Sequence, residues 1–393
     1  MKTCYLHPHK FSKVMKINRK KFFKGLALAT ISTPFVLRTF IGKSSAQAGD
    51  NQSPNVITNK KYKWKMVTTW GPNAPILGDA CSYFADLVEK LSNGRMKIHI
   101  YAGGELVPAL QSFDAVRNGS AEISNGASYY WAGKNPAFQF FATVPFGMNT
   151  QQLTAWLFQG GGMELWRALY ADYKVIPFYS GSTGVQMGGW FNREINSIDD
   201  LKGLKMRIPG LGGRVLEKAG GSAVLLAGTE LYTGLERGVI DATEWLGPYH
   251  DYLMGFYQIA KYYYSPGWHE PGTALEFSIN KEKYEALPKD LQAIIETATY
   301  QAATWFSTKM EAMNAEYLQK IQAEGIHPRF FPQDVLDALK GYTKEVIDDL
   351  VQSSPDGAKV YASYSAFRKK IIPWSNLTEK AFYNRLQSSP DNG

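Results

Sequence analysis

From residue 62 onward the apolar side chains switch between two spacings, and each switch marks a new element. Residues 62–69 alternate as a strand does. Ile76, Ala80, Phe84, Leu87, Val88 and Leu91 then fall at helical spacing, and Asn93-Gly94 supplies a stop. Residues 96–101 predict a second strand, 110–118 a short helix ended by Gly119, and 121–127 a third strand. This β-α-β-α-β order predicts a parallel sheet, with ligands at the carboxyl ends of its strands. Those ends carry Thr69-Trp70-Gly71 and Ser128-Tyr129-Tyr130-Trp131. The four aromatic residues suit either pocket walls or loop packing.

Residues 151–172 read as helix, interrupted at Gly160-Gly161-Gly162. The Lys-Ser/Thr that a phosphate loop needs does not follow, so the glycines mark a break. Residues 175–179 predict a strand, and the mixed run 184–191 fits a crossing between two lobes. Residues 198–204 lead into a strand at 205–208. Gly210-Leu211-Gly212-Gly213 precedes a helix at 215–219; the third glycine of a dinucleotide fingerprint falls at Val215, which argues against that cofactor. Residues 229–238 predict a capped short helix, and 239–243 a strand that delivers Glu244 and Trp245. Residues 262–270 return toward the first lobe, and 275–280 predict another strand. Pro288 opens a long helix reaching 324, with Leu291, Ile294, Ile295, Ala298, Ala302 and Trp305 along one face. Further helices are expected at 333–352, 364–371 and 377–386.

With 393 residues, 45% apolar and 20% charged, the chain has the composition of a folded protein of one or two domains. The net charge of +8 is misleading. Residues 1–48 hold ten Lys and Arg and no acid, so the remainder carries −2. A basic face for nucleic acid is therefore not implied. Residues 1–48 read as an export signal: a basic region to Lys24, an apolar run at 25–36 too short to span a bilayer, and Ala46-Gln47-Ala48 as a cleavage site. Asn18-Arg19-Lys20-Lys21-Phe22-Phe23-Lys24 is similar to the twin-arginine export motif with Lys in second place. Residues 49–61 read as a linker, and the mature chain as a soluble protein outside the cytoplasm. Cys4 and Cys81 are the only cysteines, which excludes a cysteine-built zinc site.

Candidate chemistry gathers between residues 204 and 270. Arg207 lies inside an apolar strand-like run, where a guanidinium is costly unless an anion meets it. Glu244 and Glu270 stand among aromatic residues. This set suits a closed site for a small carboxylate with a cation, or an ion pair within an ordinary core. Glu244, Glu270, the amide oxygen of Gln186 and a backbone carbonyl near Trp245 would suit a hard ion such as Na⁺ or Ca²⁺. A 2-oxo or 2-hydroxy acid can chelate such an ion while Arg207 holds its carboxylate. His269 reads as a residue beside the site rather than a ligand, because the histidines lack any H-x-x-x-H or H-x-H spacing after the leader. No G-x-S-x-G is present. Glu244 with Glu270 also fits the acid pair of a secreted hydrolase or lyase acting on a small carboxylate.

Six motifs carry a resemblance: Gly103-Gly104-Glu105-Leu106, Tyr129-Tyr130-Trp131, Gln186-Met187-Gly188-Gly189-Trp190, Met206-Arg207-Ile208-Pro209-Gly210, Asp241-Ala242-Thr243-Glu244-Trp245 and Pro266-Gly267-Trp268-His269-Glu270. Over residues 62–385 the chain resembles the periplasmic solute-binding subunits of tripartite ATP-independent periplasmic (TRAP) transporters, in the branch that binds 2-oxoacids or lactate with a metal ion. The resemblance implies a non-enzymatic binding protein that captures a small pyruvate-like monocarboxylate and delivers it to a membrane permease. It implies an α/β periplasmic-binding-protein-like fold of two lobes about a hinge, with a long bridging helix. On that plan 62–183 and 271–300 form one lobe, 184–270 the other, and 301–393 the bridging and C-terminal helices. It implies that Arg207 pairs with the ligand carboxylate, that Gln186, Glu244, the Trp245 carbonyl and Glu270 surround the metal, and that Trp190, Tyr129 and Tyr130 line the pocket. His269 stands where the family usually carries an aromatic residue. Some members pair through C-terminal helices, and residues 336–383 would support such a homodimer.

Overall fold

The computed structural model describes residues 59–386. The export segment expected over 1–48 and most of the linker over 49–61 lie outside the described residues. The described strands are, in chain order, β1 (Tyr62–Thr68), β2 (Met96–Tyr101), β3 (Ile123–Gly126), β4 (Val175–Ser182), β5 (Gly189–Phe191), β6 (Lys205–Arg207), β7 (Ser222–Val224), β8 (Ala242–Thr243), β9 (Tyr262–Ser265), β10 (Ala274–Asn280) and β11 (Arg329–Phe330). They form two sheets, ordered β2-β1-β3-β10-β4 and β11-β9-β5-β8-β6-β7.

In the first sheet β1 runs parallel to β2 and β3. The crossover helix Leu77–Leu91 buries Leu77, Ala80, Phe84 and Val88 as one stripe. The sheet is not wholly parallel, as the local order predicts. Returning from the second sheet, β10 inserts antiparallel between β3 and β4, buried along its whole length. Nothing in residues 62–127 carries information about a partner that arrives so much later in the chain.

The chain passes between the sheets three times, once through the long segment 281–328 that leads to β11 and twice through short crossovers, at 183–188 and at 266–273. These crossovers bond to each other: Gln186 N–H donates to the Glu270 carbonyl at 3.2 Å, and Gly267 N–H to the Gln186 carbonyl at 2.8 Å. The approach requires glycine, since a Cβ on Gly267 would sit 2.4 Å from the Gln186 carbonyl oxygen. The run 184–191, expected as a crossing between lobes, is crossover up to residue 188 and strand over Gly189–Phe191. Of 239–243, expected as a strand, only Ala242–Thr243 pairs, the rest being taken up by turn bonds. The Gly210–Gly213 run lies inside helix Gly210–Lys218 rather than before it, and glycine lets that helix pack closely on the second crossover, since a Cβ on Gly212 would sit 2.9 Å from the His269 Cβ.

Helix Lys289–Ala323 has 35 residues and spans about 52 Å. It packs against β4 and helix Leu77–Leu91, and farther along against helix Pro248–Leu253, where Asn314 accepts from the Tyr249 N–H at 3.1 Å. It thus joins elements built around both sheets. Helix Gln333–Ser353 packs on Gly210–Lys218, and helix Pro355–Leu377 on Thr150–Gln159 and Gly162–Ala171. No described helix is long and apolar enough to cross a membrane.

Candidate functional site

The site forms where strand ends of the two sheets meet the crossovers. β6 and β8 are parallel neighbours with Arg207 opposite Thr243, so the next residue, Glu244, reaches the arginine. Nη1 of Arg207 donates to Oε1 of Glu244, Nη2 to the Tyr130 hydroxyl at 3.3 Å, and Nε to the Leu226 carbonyl at 3.2 Å. The guanidinium lies 5.1 Å from the Trp245 ring centre, a cation–π contact. Burial alone would weaken the Arg207 charge. The Glu244 carboxylate, together with the Tyr130 and Tyr129 hydroxyls, more than offsets this, and the group is held above its ordinary pKa.

Each crossover contributes one further polar side chain. From the first, Gln186 donates through Nε2 to Glu270 Oε2 at 2.7 Å and to Thr183 Oγ1 at 3.0 Å. From the second, Glu270 also accepts from the Thr273 hydroxyl. Burial, then the Glu244 charge, raise the Glu270 pKa well above the usual carboxylate range, against the hydrogen bond from Thr273. Gln186, Arg207, Glu244, His269 and Glu270 are all at most 2% exposed.

Aromatic residues from the first lobe close over this cluster. Trp70 packs edge-on against Trp245 at 6.3 Å and Tyr130 at 6.5 Å, and Tyr129 against Tyr130 at 4.7 Å. Surface clefts end on the same side chains, one lined by Tyr129 and Tyr130, another by Trp70 and Trp245. Trp131 turns away and donates to Glu276 at 2.8 Å. Trp190 stands apart from the cluster: it stacks on Tyr263 at 4.1 Å and donates to Asp251 at 3.1 Å. The structure therefore unites Gln186, Arg207, Glu244, Trp245, Glu270, Tyr129 and Tyr130. Sequence reasoning missed Thr183 and Thr273, whose available signal was their spacing, three residues before Gln186 and three after Glu270.

Several buried polar atoms here have no hydrogen-bond partner: Oε1 of Gln186, Oε1 of Glu270, Nε1 of Trp245 and both ring nitrogens of His269. Buried acceptors left in this way are costly. An amide and a carboxylate oxygen so placed have the chemistry of a site for an oxygen-favouring cation.

A family profile described as bacterial extracellular solute-binding protein, family 7 (DctP), matches residues 66–354. The chain belongs to this family. A DctP-family relative from Nostoc sp. strain PCC 7120, described as a monocarboxylate 2-oxoacid-binding periplasmic protein, is 41% identical over 95% of this chain and 100% of its own. A TRAP periplasmic solute-binding protein from Colwellia psychrerythraea, solved with calcium and pyruvate bound, shares 44% identity and a TM-score of 0.81 over 83% of this chain and 99% of that one. Another from Pseudoalteromonas atlantica T6c, with sodium and pyruvate, shares 42% identity and a TM-score of 0.81 over the same fractions. Like its DctP relatives, the protein has the two-lobed α/β fold and is a solute-binding component of a TRAP transporter, not an enzyme. That rules out the hydrolase or lyase reading of Glu244 and Glu270.

Proposed function

We propose that the protein captures a small pyruvate-like 2-oxo monocarboxylate with the help of Na⁺ or Ca²⁺ and delivers the acid to the membrane subunits of its TRAP transporter. One observation carries this reading: buried Arg207 lies within the same enclosed cluster as the unpartnered Gln186 and Glu270 oxygens. A guanidinium has more N–H donors than the three contacts Arg207 makes, and its fork matches a carboxylate. Gln186, Glu244, the Trp245 carbonyl and Glu270 would hold the cation, which draws in the ligand's carboxylate and 2-oxo oxygens. Trp70, Tyr129 and Tyr130 would exclude water, strengthening these contacts in the closed form. The pyruvate-binding relatives named above support the ligand class. Export through the twin-arginine route rests on residues 18–24. Homodimerisation through the C-terminal helices rests on the exposure of Trp374, Leu377, Phe382, Tyr383 and Leu386.

The test is a tryptophan-fluorescence titration of metal-stripped protein with pyruvate, lactate and longer 2-oxoacids, repeated with Na⁺ or Ca²⁺ restored. Saturable, cation-dependent quenching without turnover is expected. A folded protein that responds in neither buffer refutes the reading.

A further inference from the structure

The turn between β1 and helix Leu77–Leu91 has a backbone shape that its own sequence does not favour. Ile76 sits at φ 55° and ψ −48°, the rare γ-turn of positive φ, which the Leu77 N–H closes on the Pro75 carbonyl at 2.5 Å. A β-branched side chain is strained at positive φ, and this one is fully buried. Such a shape persists only where surrounding contacts impose it.

One of those contacts comes from the second lobe. Helix Pro248–Leu253 follows β8, and its His250 is 2% exposed. Nε2 of His250 meets the Pro75 carbonyl oxygen at 2.6 Å. A carbonyl oxygen only accepts, so Nε2 carries the hydrogen and donates. Burial lowers the imidazole pKa from 6.5 to about 4, so the ring is neutral, and its Nδ1 has no hydrogen-bond partner. The hydrogen bond of this imidazole therefore runs to the other lobe rather than into its own. The turn also abuts the second lobe at Gly71, where a Cβ would sit 2.5 Å from Thr229 Cγ2. Trp70, the residue before it, packs on Trp245 and Tyr130 beside Arg207. The turn thus continues the wall that closes over the cluster, yet His250 takes no part in the cluster's own hydrogen bonds.

We propose that His250 is a latch: its bond to Pro75 pins the first-lobe turn 71–76 onto the second lobe in the closed form and slows escape of the captured acid. It is a positioning residue, acting through the turn and the adjoining Trp70. Separation of the lobes breaks the bond and frees Ile76 to relax, so the bond lasts only while the lobes are together. The latch rests on the capture by closure proposed above.

Stopped-flow tryptophan fluorescence measures pyruvate association and release, with Na⁺ or Ca²⁺ present, for the parent, His250→Phe and His250→Gln. His250→Phe should release pyruvate about 3–10-fold faster, the weight of one buried hydrogen bond, at an unchanged association rate. Its ligand-free denaturant midpoint should match the parent's, since the bond forms only on closure. His250→Gln retains a side-chain N–H donor and should recover part of the slow release. His250→Ala carries the test if Phe does not fold. Parent-like release in Phe and Ala overturns the latch and leaves the function above standing; a lowered ligand-free midpoint beside such release marks ordinary packing. Slowed association with unchanged release overturns the latch as well. A parent that never binds pyruvate overturns both.

Discussion

Replacing Arg207 by Met isolates what the buried ion pair contributes. Both partners are 1% exposed, so removing the guanidinium leaves the Glu244 carboxylate without compensation in a low-dielectric interior. Breaking a buried pair from one side costs about 3–5 kcal/mol. The loss should also push the raised Glu270 pKa higher, because Arg207 is one of the groups holding it down. Glu244→Gln alone should cost a similar amount by stranding the arginine. In the double variant no buried charge is stranded, and apolar or neutral replacements of such pairs are often close to neutral. Its stability should therefore fall only about 1–2 kcal/mol below the parent. Urea unfolding of the four ligand-free and metal-free proteins measures each arm of this cycle. A double-variant loss equal to the sum of the single losses would refute the reasoning, since the singles would then report independent contacts rather than a stranded charge.

Glu276 lies deep in the first sheet, accepting from Trp131, Tyr170 and Ser278, and burial raises its pKa from 4.5 to about 7. Below its unfolded pKa both states are protonated; as pH rises toward 7 the unfolded chain ionises first, so stability falls. Glu276→Gln should match the parent near the lower end of that window and exceed it by about 3 kcal/mol above pH 7. A pH-independent difference in denaturant midpoint would contradict this. In sedimentation equilibrium the parent should dimerise, and Leu377→Glu with Phe382→Glu should give a monomer with unchanged pyruvate titration; a monomeric parent ends the dimer proposal.

Much of the fold can be read without coordinates because its signals are local. The helix opened by Pro288 has a continuous apolar face, and the observed helix starts at Lys289. The parallel pairing of β1 with β2 and β3 follows from one short crossover after another. Arg207, Glu244 and Glu270 stand out because charge in an apolar run needs a reason. Asp251 gave no such signal. It is as buried as they are, holding Trp190 and Tyr263, and burial raises its pKa to about 7, yet it sits in an unremarkable Tyr-His-Asp-Tyr run.

The residue types, their periodicity and the embedded charges were determined by the chain itself: two families of strands, a long helix, and one arginine needing an anion. The tertiary structure alone decided that Gln186 and Glu270, 84 positions apart, share a hydrogen bond. It also decided that β10 enters between β3 and β4, and that His269 faces the carboxylates rather than solvent. The physical reason is the same in each case. Strand and helix propensities act over a few residues, but the two crossovers meet only after both sheets have formed, and burial acquires its electrostatic consequences only then.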